Sequence, residues 1–286
     1  MEMRSLGNTK EKLSVIGFGG IVVMNESKKD ASRFVSQAID RGINYFDVAP
    51  EYGNAQEMMG PALKPSRENI FLACKTLQRS AKEAEKELHD SLKKLKTEYF
   101  DLYQFHSVIT VDEVNRITGP GGALEAFVKA KGKGLVRYLG FTAHSEEAAH
   151  ALMRAHDFTS VMFPFNWALW FKHDFGPSVL NMACQKGMGV LALKALAKRA
   201  LEKGEINKWS KCWYAPEDNY EEASLGLRFT LSLEGVTAAV SPSHAELLWL
   251  ACDIADNFTP VTKEELSMLK EKSKHLDTII HGLKQN

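Results

Sequence analysis

An alternation constrains this chain most. Short β-prone apolar runs and amphipathic helical stretches follow one another eight times along the 286 residues, at roughly 30-residue spacing. Strands are expected at 14–19, 43–47, 70–75, 101–106, 135–142, 160–165, 190–196 and 236–241. The paired helices are expected at 28–41, 54–63, 80–97, 123–131, 145–156, 174–186, 219–233 and 243–256. The plainest is 80–97, where Ala84, Leu88, Leu92 and Leu95 form one apolar stripe and Lys and Glu cover the rest. Short connections between alternating strands and helices imply parallel pairing. Eight such units predict an α/β protein of the (β/α)8 TIM barrel type rather than an open doubly wound sheet. The open sheet needs a glycine-rich phosphate turn after its first strand. GFGG at 17–20 supplies only half of G-x-G-x-x-G, because Val22 holds the third glycine position.

A β-hairpin turning at Gly7-Asn8 should precede the barrel, and a helix from Thr262 to Leu276 should follow it. Thr262 with Glu265, and Ser243 with Glu246, have the spacing of capping boxes. The stretch 198–218 reads as irregular. Nothing resembling a linker, tandem repeat or low-complexity segment divides the chain, so 1–286 is expected to be a single domain.

Three strands close on polar groups. INYFD ends at Asp47, IFLACK at Lys75 and FDLYQFH at His106, while Tyr52 follows Asp47 on the loop that Ala49-Pro50 opens. In a barrel the C-terminal ends of the strands gather at one face, where the βα loops build the active site. Taken singly, each residue could cap a loop or sit solvated on the rim. Together, each answers a need of the next. A phenol has a pKa of about 10, too high for efficient proton transfer at neutral pH. A nearby ammonium should lower it, a carboxylate should keep that ammonium charged, and an imidazole could orient a carbonyl. The set suits an acid facing a polarised C=O.

Composition excludes other classes. Lys+Arg and Asp+Glu both number 36, so no basic surplus points to nucleic acid or an anionic membrane. Cys74, Cys184, Cys212 and Cys252 are widely spaced without a CxxC pair, which suits reduced thiols better than disulfides or a metal cluster. No apolar run approaches membrane-spanning length, and the first residues lack a signal-peptide core. A soluble, cytoplasmic protein without a metal site is the expectation. Its oligomeric state is not legible.

GFGG, GINYFDVAPEYG, the lysine of FLACKT, DLYQFH and VRYLGFTAHS together resemble the aldo-keto reductase family over nearly the whole chain. The resemblance implies Tyr52 as general acid, Lys75 as the group that tunes it, Asp47 as the partner of Lys75, and His106 as the group that orients the carbonyl. It implies an NADP(H) or NAD(H) cofactor lying across the barrel mouth, with contacts at Gly20, Thr142, Asn166, Leu193, Lys194, Ser241 and Ser243. The family's strand-five Ser-Asn pair is Thr142-Ala143 here, its strand-six glutamine is Met162, and its stacking aromatic is Leu193. No Lys or Arg lies between 241 and 252 to hold a 2′-phosphate. Lys194, Lys198 and Arg199 are either pyrophosphate contacts or ordinary loop charges. TAHS is similar to a subgroup whose members often add a C-terminal iron–sulfur domain; with no CxxCxxC, this chain is a short form in which that cluster is not expected.

Trp167, Trp170, Phe171, Trp209 and Trp213 follow strands six and seven. Trp167 and Trp213, with Met24 after strand one, are candidates for a substrate wall; the alternative is loop packing. The leading function is NAD(P)H-dependent reduction of an aldehyde or ketone, or the reverse, on a small carbonyl or alcohol. A cofactor-binding regulatory protein with little turnover is the alternative. A Schiff-base lyase acting through Lys75 is a third possibility, but a salt-bridged lysine is a poor nucleophile.

Overall fold

The computed structural model of the chain describes residues 1–282. Its centre is a closed barrel of eight parallel strands: β3 (Ile16–Gly19), β4 (Tyr45–Asp47), β5 (Phe71–Thr76), β6 (Phe100–Val108), β7 (Val136–Ala143), β8 (Ser160–Pro164), β9 (Gly189–Leu193) and β12 (Val236–Val240), with β12 pairing back onto β3. Helices α1 (Lys28–Asp40), α2 (Ala55–Leu63), α3 (Ala81–Leu95), α4 (Val111–Thr118), α5 (Ala123–Gly132), α6 (Glu146–Ala155), α7 (Trp167–His173), α8 (Pro177–Gln185), α9 (Tyr220–Ser232) and α10 (Ala245–Asp256) surround it, and α11 (Lys263–Ser273) ends the order. The α/β barrel expected from the alternation is therefore the fold.

Strand alternation decides what enters the barrel. Along β5, Leu72 and Cys74 pack outward against the helices, while Phe71 and Ala73 point inward. The two-residue period then puts Lys75 inside, above Ala73. By the same count Tyr45 and Asp47 face in from β4, and Leu102, Gln104 and His106 from β6. The floor is apolar: Leu6 and Leu13 of the hairpin β1 (Met3–Ser5) and β2 (Lys12–Ser14) pack with Tyr45, Phe71, Leu102, Met162 and Leu191. The polar upper layer is thus isolated from water below.

Local signals set several boundaries. At the end of α1, Gly42 takes a φ of +84°, its N–H bonds Ile39 O at 2.8 Å, and Ile43 N–H bonds Ala38 O at 3.0 Å, a Schellman motif leading into β4. The box at Thr262 and Glu265 caps α11, which stops at Ser273 rather than Leu276. The expected box at Ser243 and Glu246 does not form: α10 starts at Ala245 behind His244. Ser243 Oγ is instead engaged by Cys212 Sγ at 2.9 Å and His244 Nδ1 at 3.0 Å, so a tertiary contact has claimed the capping hydroxyl.

Other differences concern short elements. Between β6 and α5 lies α4, capped by Thr110 and Glu113. The seventh barrel strand ends at Leu193 rather than 196, because Lys194 adopts a left-handed φ of +63°. The expected helix at 174–186 is α8, which runs Pro177–Gln185; an additional helix, α7, precedes it and is C-capped by Asp174, whose φ is +50°. Residues 198–218 are not wholly irregular: β10 (Ala197–Ala200) pairs antiparallel with β11 (Tyr214–Pro216), leaving 201–213 as an excursion above the barrel. Among the described residues no helix is long and apolar enough to cross a membrane, and no group of His, Cys, Asp and Glu could hold a metal ion.

Candidate active site

A cavity of about 220 Å³ opens at the C-terminal end of the barrel strands, lined by Asp47, Tyr52, Lys75 and His106 together with Thr142, Leu193, Lys194, Trp213, Ser241 and Ser243. The strand-end residues expected to converge do so. Lys75 and Asp47 form a buried ion pair through Nζ and Oδ1, their side chains 1% and 2% exposed. Gln104 Nε2 donates to the other Asp47 oxygen at 3.0 Å, and the Tyr45 hydroxyl lies 3.4 Å from it. Lys75 Nζ stands 5.2 Å from the centre of the Tyr52 ring, and the Tyr52 and His106 rings meet edge-on with centroids 5.9 Å apart.

His106 owes its position to a β-bulge. The pairing of β6 with β7 slips between Phe105 and Val108, and Ser107 takes φ +52°. Ser107 N–H donates to Thr142 Oγ1 at 2.6 Å, and Arg79 Nη2 donates to the His106 carbonyl at 2.8 Å. Two further side chains complete the cluster, neither singled out by the sequence analysis. Gln104 had a usable signal, since it lies two residues before His106 on the same strand face. Glu51, whose Oε2 is 3.0 Å from His106 Nδ1, had none, because its approach depends on the path of the loop after β4.

Electrostatics set the protonation states. Burial works against the Lys75 charge, but Asp47 outweighs it and holds the ammonium above its ordinary range. Burial raises the Tyr52 phenol; Lys75 pulls it back and Asp47 pushes it up again, so the net direction is upward. This corrects the expectation that Lys75 would bring the phenol below its usual value. Burial lowers His106, against the opposing pull of Glu51. Burial works to raise Glu51, yet its hydrogen bond with His106 keeps the carboxyl below the usual range. Burial also pushes Lys194 down to about 8, with Lys75 adding to the effect.

The other candidates divide. Trp213 lines the cavity, and Lys194 Nζ stands 5.0 Å from its ring centre and 4.8 Å from that of Tyr214. Gly20, expected at the cofactor, is not in the lining; a Cβ there would meet Val48 Cγ2 at 2.8 Å, so it is small for packing. Asn166, also expected at the cofactor, caps α7 through Oδ1 and donates Nδ2 to the Lys194 carbonyl at 3.1 Å, which leaves it bracing the wall rather than forming it. Trp167 is buried outside the cavity with Nε1 on Glu217 Oε1 at 2.9 Å. Met24 packs against the outer core rather than the cavity. Trp170 and Phe171 pack on Phe229, and Trp209 on His244. Lys198 pairs with Glu222 at 2.6 Å and Arg199 with Glu205 at 2.7 Å, which favours loop charges for both.

A dinucleotide carries a flat ring and a diphosphate, and the far wall offers matching groups. Leu193 is partly exposed and apolar, while Lys194 has no carboxylate partner among the described residues. Helix α10 begins without a side-chain cap directly after Ser241 and Ser243, leaving N–H groups of the kind that hold phosphate. These residues fit such a group.

Comparison with known proteins agrees with the fold. The Aldo/keto reductase family model matches residues 15–268, so the chain belongs to the aldo/keto reductase family. It is 29% identical over 180 residues to the uncharacterized oxidoreductase YqkF of Bacillus subtilis, covering 58% of this chain and 56% of that protein. It is 32% identical over 159 residues to L-galactose dehydrogenase of Arabidopsis thaliana, covering 50% and 48%. The matched segment therefore spans about half the length of these curated relatives. Among solved structures, the holo form of an aldo-keto reductase from Bacillus halodurans superposes with a TM-score of 0.73 at 24% identity, covering 96% of each chain, a likeness of fold.

Proposed function

We propose that this protein is an NAD(P)-dependent oxidoreductase that reduces an aldehyde or ketone to an alcohol, or runs the reverse reaction. The observation that carries this reading is the convergence of Tyr52, Lys75 and His106 on one cavity above the buried Asp47–Lys75 pair. The nicotinamide, when bound, supplies hydride to the carbonyl carbon. Leu193 would face its ring, and Lys194, Ser241, Ser243 and the start of α10 would hold its phosphates. Tyr52 gives its hydroxyl proton to the carbonyl oxygen as that oxygen gains charge. Lys75, fixed by Asp47, which Gln104 holds through its other oxygen, stabilises the phenolate that remains. The upward shift of the phenol keeps Tyr52 protonated at neutral pH, the form that reduction requires. His106, when its Nε2 carries a proton, donates to the carbonyl oxygen and orients it, and Trp213 forms an apolar wall for the rest of a small substrate.

The test is Tyr52→Phe, assayed by nicotinamide oxidation against a panel of aldehydes and ketones, beside fluorescence titration with NADPH and NADH. Loss of about 10²–10⁴-fold in kcat/KM with cofactor affinity within a factor of two is expected. Full activity in Tyr52→Phe would remove the assigned acid. Absence of turnover by the wild type, with cofactor still bound, would favour the regulatory alternative.

A further inference from the structure

His106 is held by a residue that the reductase reading does not require. Glu51 immediately precedes Tyr52, so one turn of loop presents a carboxylate and the phenol to the same imidazole. A carboxylate kept below its usual range is ionised at neutral pH and only accepts hydrogen bonds, so the 3.0 Å contact requires a proton on His106 Nδ1. Nε2 is then the nitrogen left for the cavity. In the neutral ring it carries a lone pair and accepts; only in the imidazolium does it donate.

We infer that Glu51 is a positioning residue for His106: it fixes the Nδ1–H tautomer, aims Nε2 at the reacting oxygen, and sets the pH at which that nitrogen changes from donor to acceptor. The inference rests on the oxidoreductase reading and adds a residue to it. Removing the carboxylate leaves a ring that can carry its one neutral proton on either nitrogen.

The surroundings of His106 support a specific sign. Asp47 faces it from β4, Glu51 and Tyr52 from the following loop, and Lys75 from β5. Arg79 binds the His106 carbonyl while paired with Glu113 of α4 at 2.9 Å, and His144, beyond β7, contacts the neighbouring Ser107 at 3.2 Å. Of the two carboxylates that face the ring, Asp47 and Glu51, it is Glu51 that hydrogen-bonds it directly. Its charge favours the imidazolium against Lys75 and against burial, so its loss moves the transition to lower pH.

The experiment compares wild type with Glu51→Gln, which keeps an acceptor oxygen without the charge, and with Glu51→Ala. Nitrogen-detected NMR of His106 reports tautomer and pKa independently of turnover, and the pH profile of kcat/KM for carbonyl reduction reports the role. In Glu51→Gln the His106 transition should fall by about one pH unit. The alkaline limb of the profile should fall with it, while cofactor Kd stays within a factor of two. Glu51→Ala should show mixed tautomers and a further loss in kcat rather than KM. An active wild type whose tautomer, pKa and profile are unmoved by Glu51→Gln overturns the role of Glu51 alone. A wild type that reduces no carbonyl overturns the oxidoreductase reading, and the role of Glu51 with it.

Discussion

Both ends of the barrel hold a buried aspartate bound to a cation, yet the two are built for different ends. At the bottom, Asp101 is the second residue of β6 and is saturated: Arg67 reaches it at 2.9 Å, Arg137 at 2.6 Å, and Leu72 N–H donates at 2.9 Å. Both guanidiniums lie toward the surface, and Arg137 continues to Glu11 of the hairpin at 2.5 Å. At the top, Asp47 ends β4 and is bound by Lys75 and Gln104, but Lys75 is a compact point charge inside the barrel that also faces Tyr52. A fork of arginines closes the lower site. The upper site keeps part of its field directed into a cavity, so the same pairing fastens strands below and poises a proton above.

Removing the cation should separate the two. Lys75→Met leaves Asp47 in the barrel with its charge uncompensated, which costs roughly 3–5 kcal/mol of unfolding free energy, and it should abolish carbonyl reduction by the remaining folded molecules. The matched change below, Asp101→Asn, keeps an oxygen for Leu72 N–H and strands two guanidiniums that water still reaches. It should cost about 1–3 kcal/mol by chemical denaturation and leave kcat/KM per folded molecule unchanged. Equal losses of activity in the two variants would end the distinction.

A third buried carboxyl sharpens the point, because among the described residues no cation is bound to it. Glu217 follows β11, is 3% exposed, accepts from Trp167 on one oxygen and has no hydrogen-bond partner on the other among the described residues. Burial raises its pKa from 4.5 to about 8, partly countered by the Trp167 bond. The folded chain therefore keeps this proton after the unfolded chain has released it. The contribution of Glu217 to stability is greatest below about pH 4.5, falls through the window up to about pH 8, and then levels. Across that window the loss is on the order of 3–5 kcal/mol. Glu217→Gln retains the acceptor for Trp167 and removes the ionisation. Its gain in Tm over wild type should be clear at pH 8 and nearly vanish at pH 4.5; an equal gain at both would place the cost elsewhere.

What could be foreseen follows the range of each interaction. Asp47, Lys75 and His106 were legible because strand period and strand end are local properties that the barrel converts into convergence. The fold was legible for the same reason. Glu51, and the contacts that Asn166 and Ser243 make, were not, because their partners come from elsewhere: His106 on another strand, the Lys194 carbonyl beyond β9, and Cys212 in the excursion. The Tyr52 acidity was misjudged because charge partners can be named from sequence, whereas burial, its largest cause, cannot. The strands β10 and β11 escaped because residues 201–213 separate them.

The smallest expected effect lies on the cavity wall at Lys194, which has no carboxylate partner among the described residues. Its ammonium rests against Trp213 and Tyr214, and burial has brought its pKa to about 8, so its charge is gained and lost near physiological pH. Phosphate binding requires the charged form. Affinity for NADPH or NADH should therefore be strongest below pH 8 and weaken above it as the ammonium deprotonates, and bound phosphate should carry that transition upward. Lys194→Met should weaken cofactor binding by about 5–10-fold at pH 7, the value of one partly exposed charge-assisted contact, and flatten the pH dependence. Isothermal titration at several pH values separates the cases. A Lys194→Met protein with wild-type affinity and an unchanged pH profile would make this lysine a cation held by the aromatic pair alone, leaving the uncapped start of α10 to bind the phosphates.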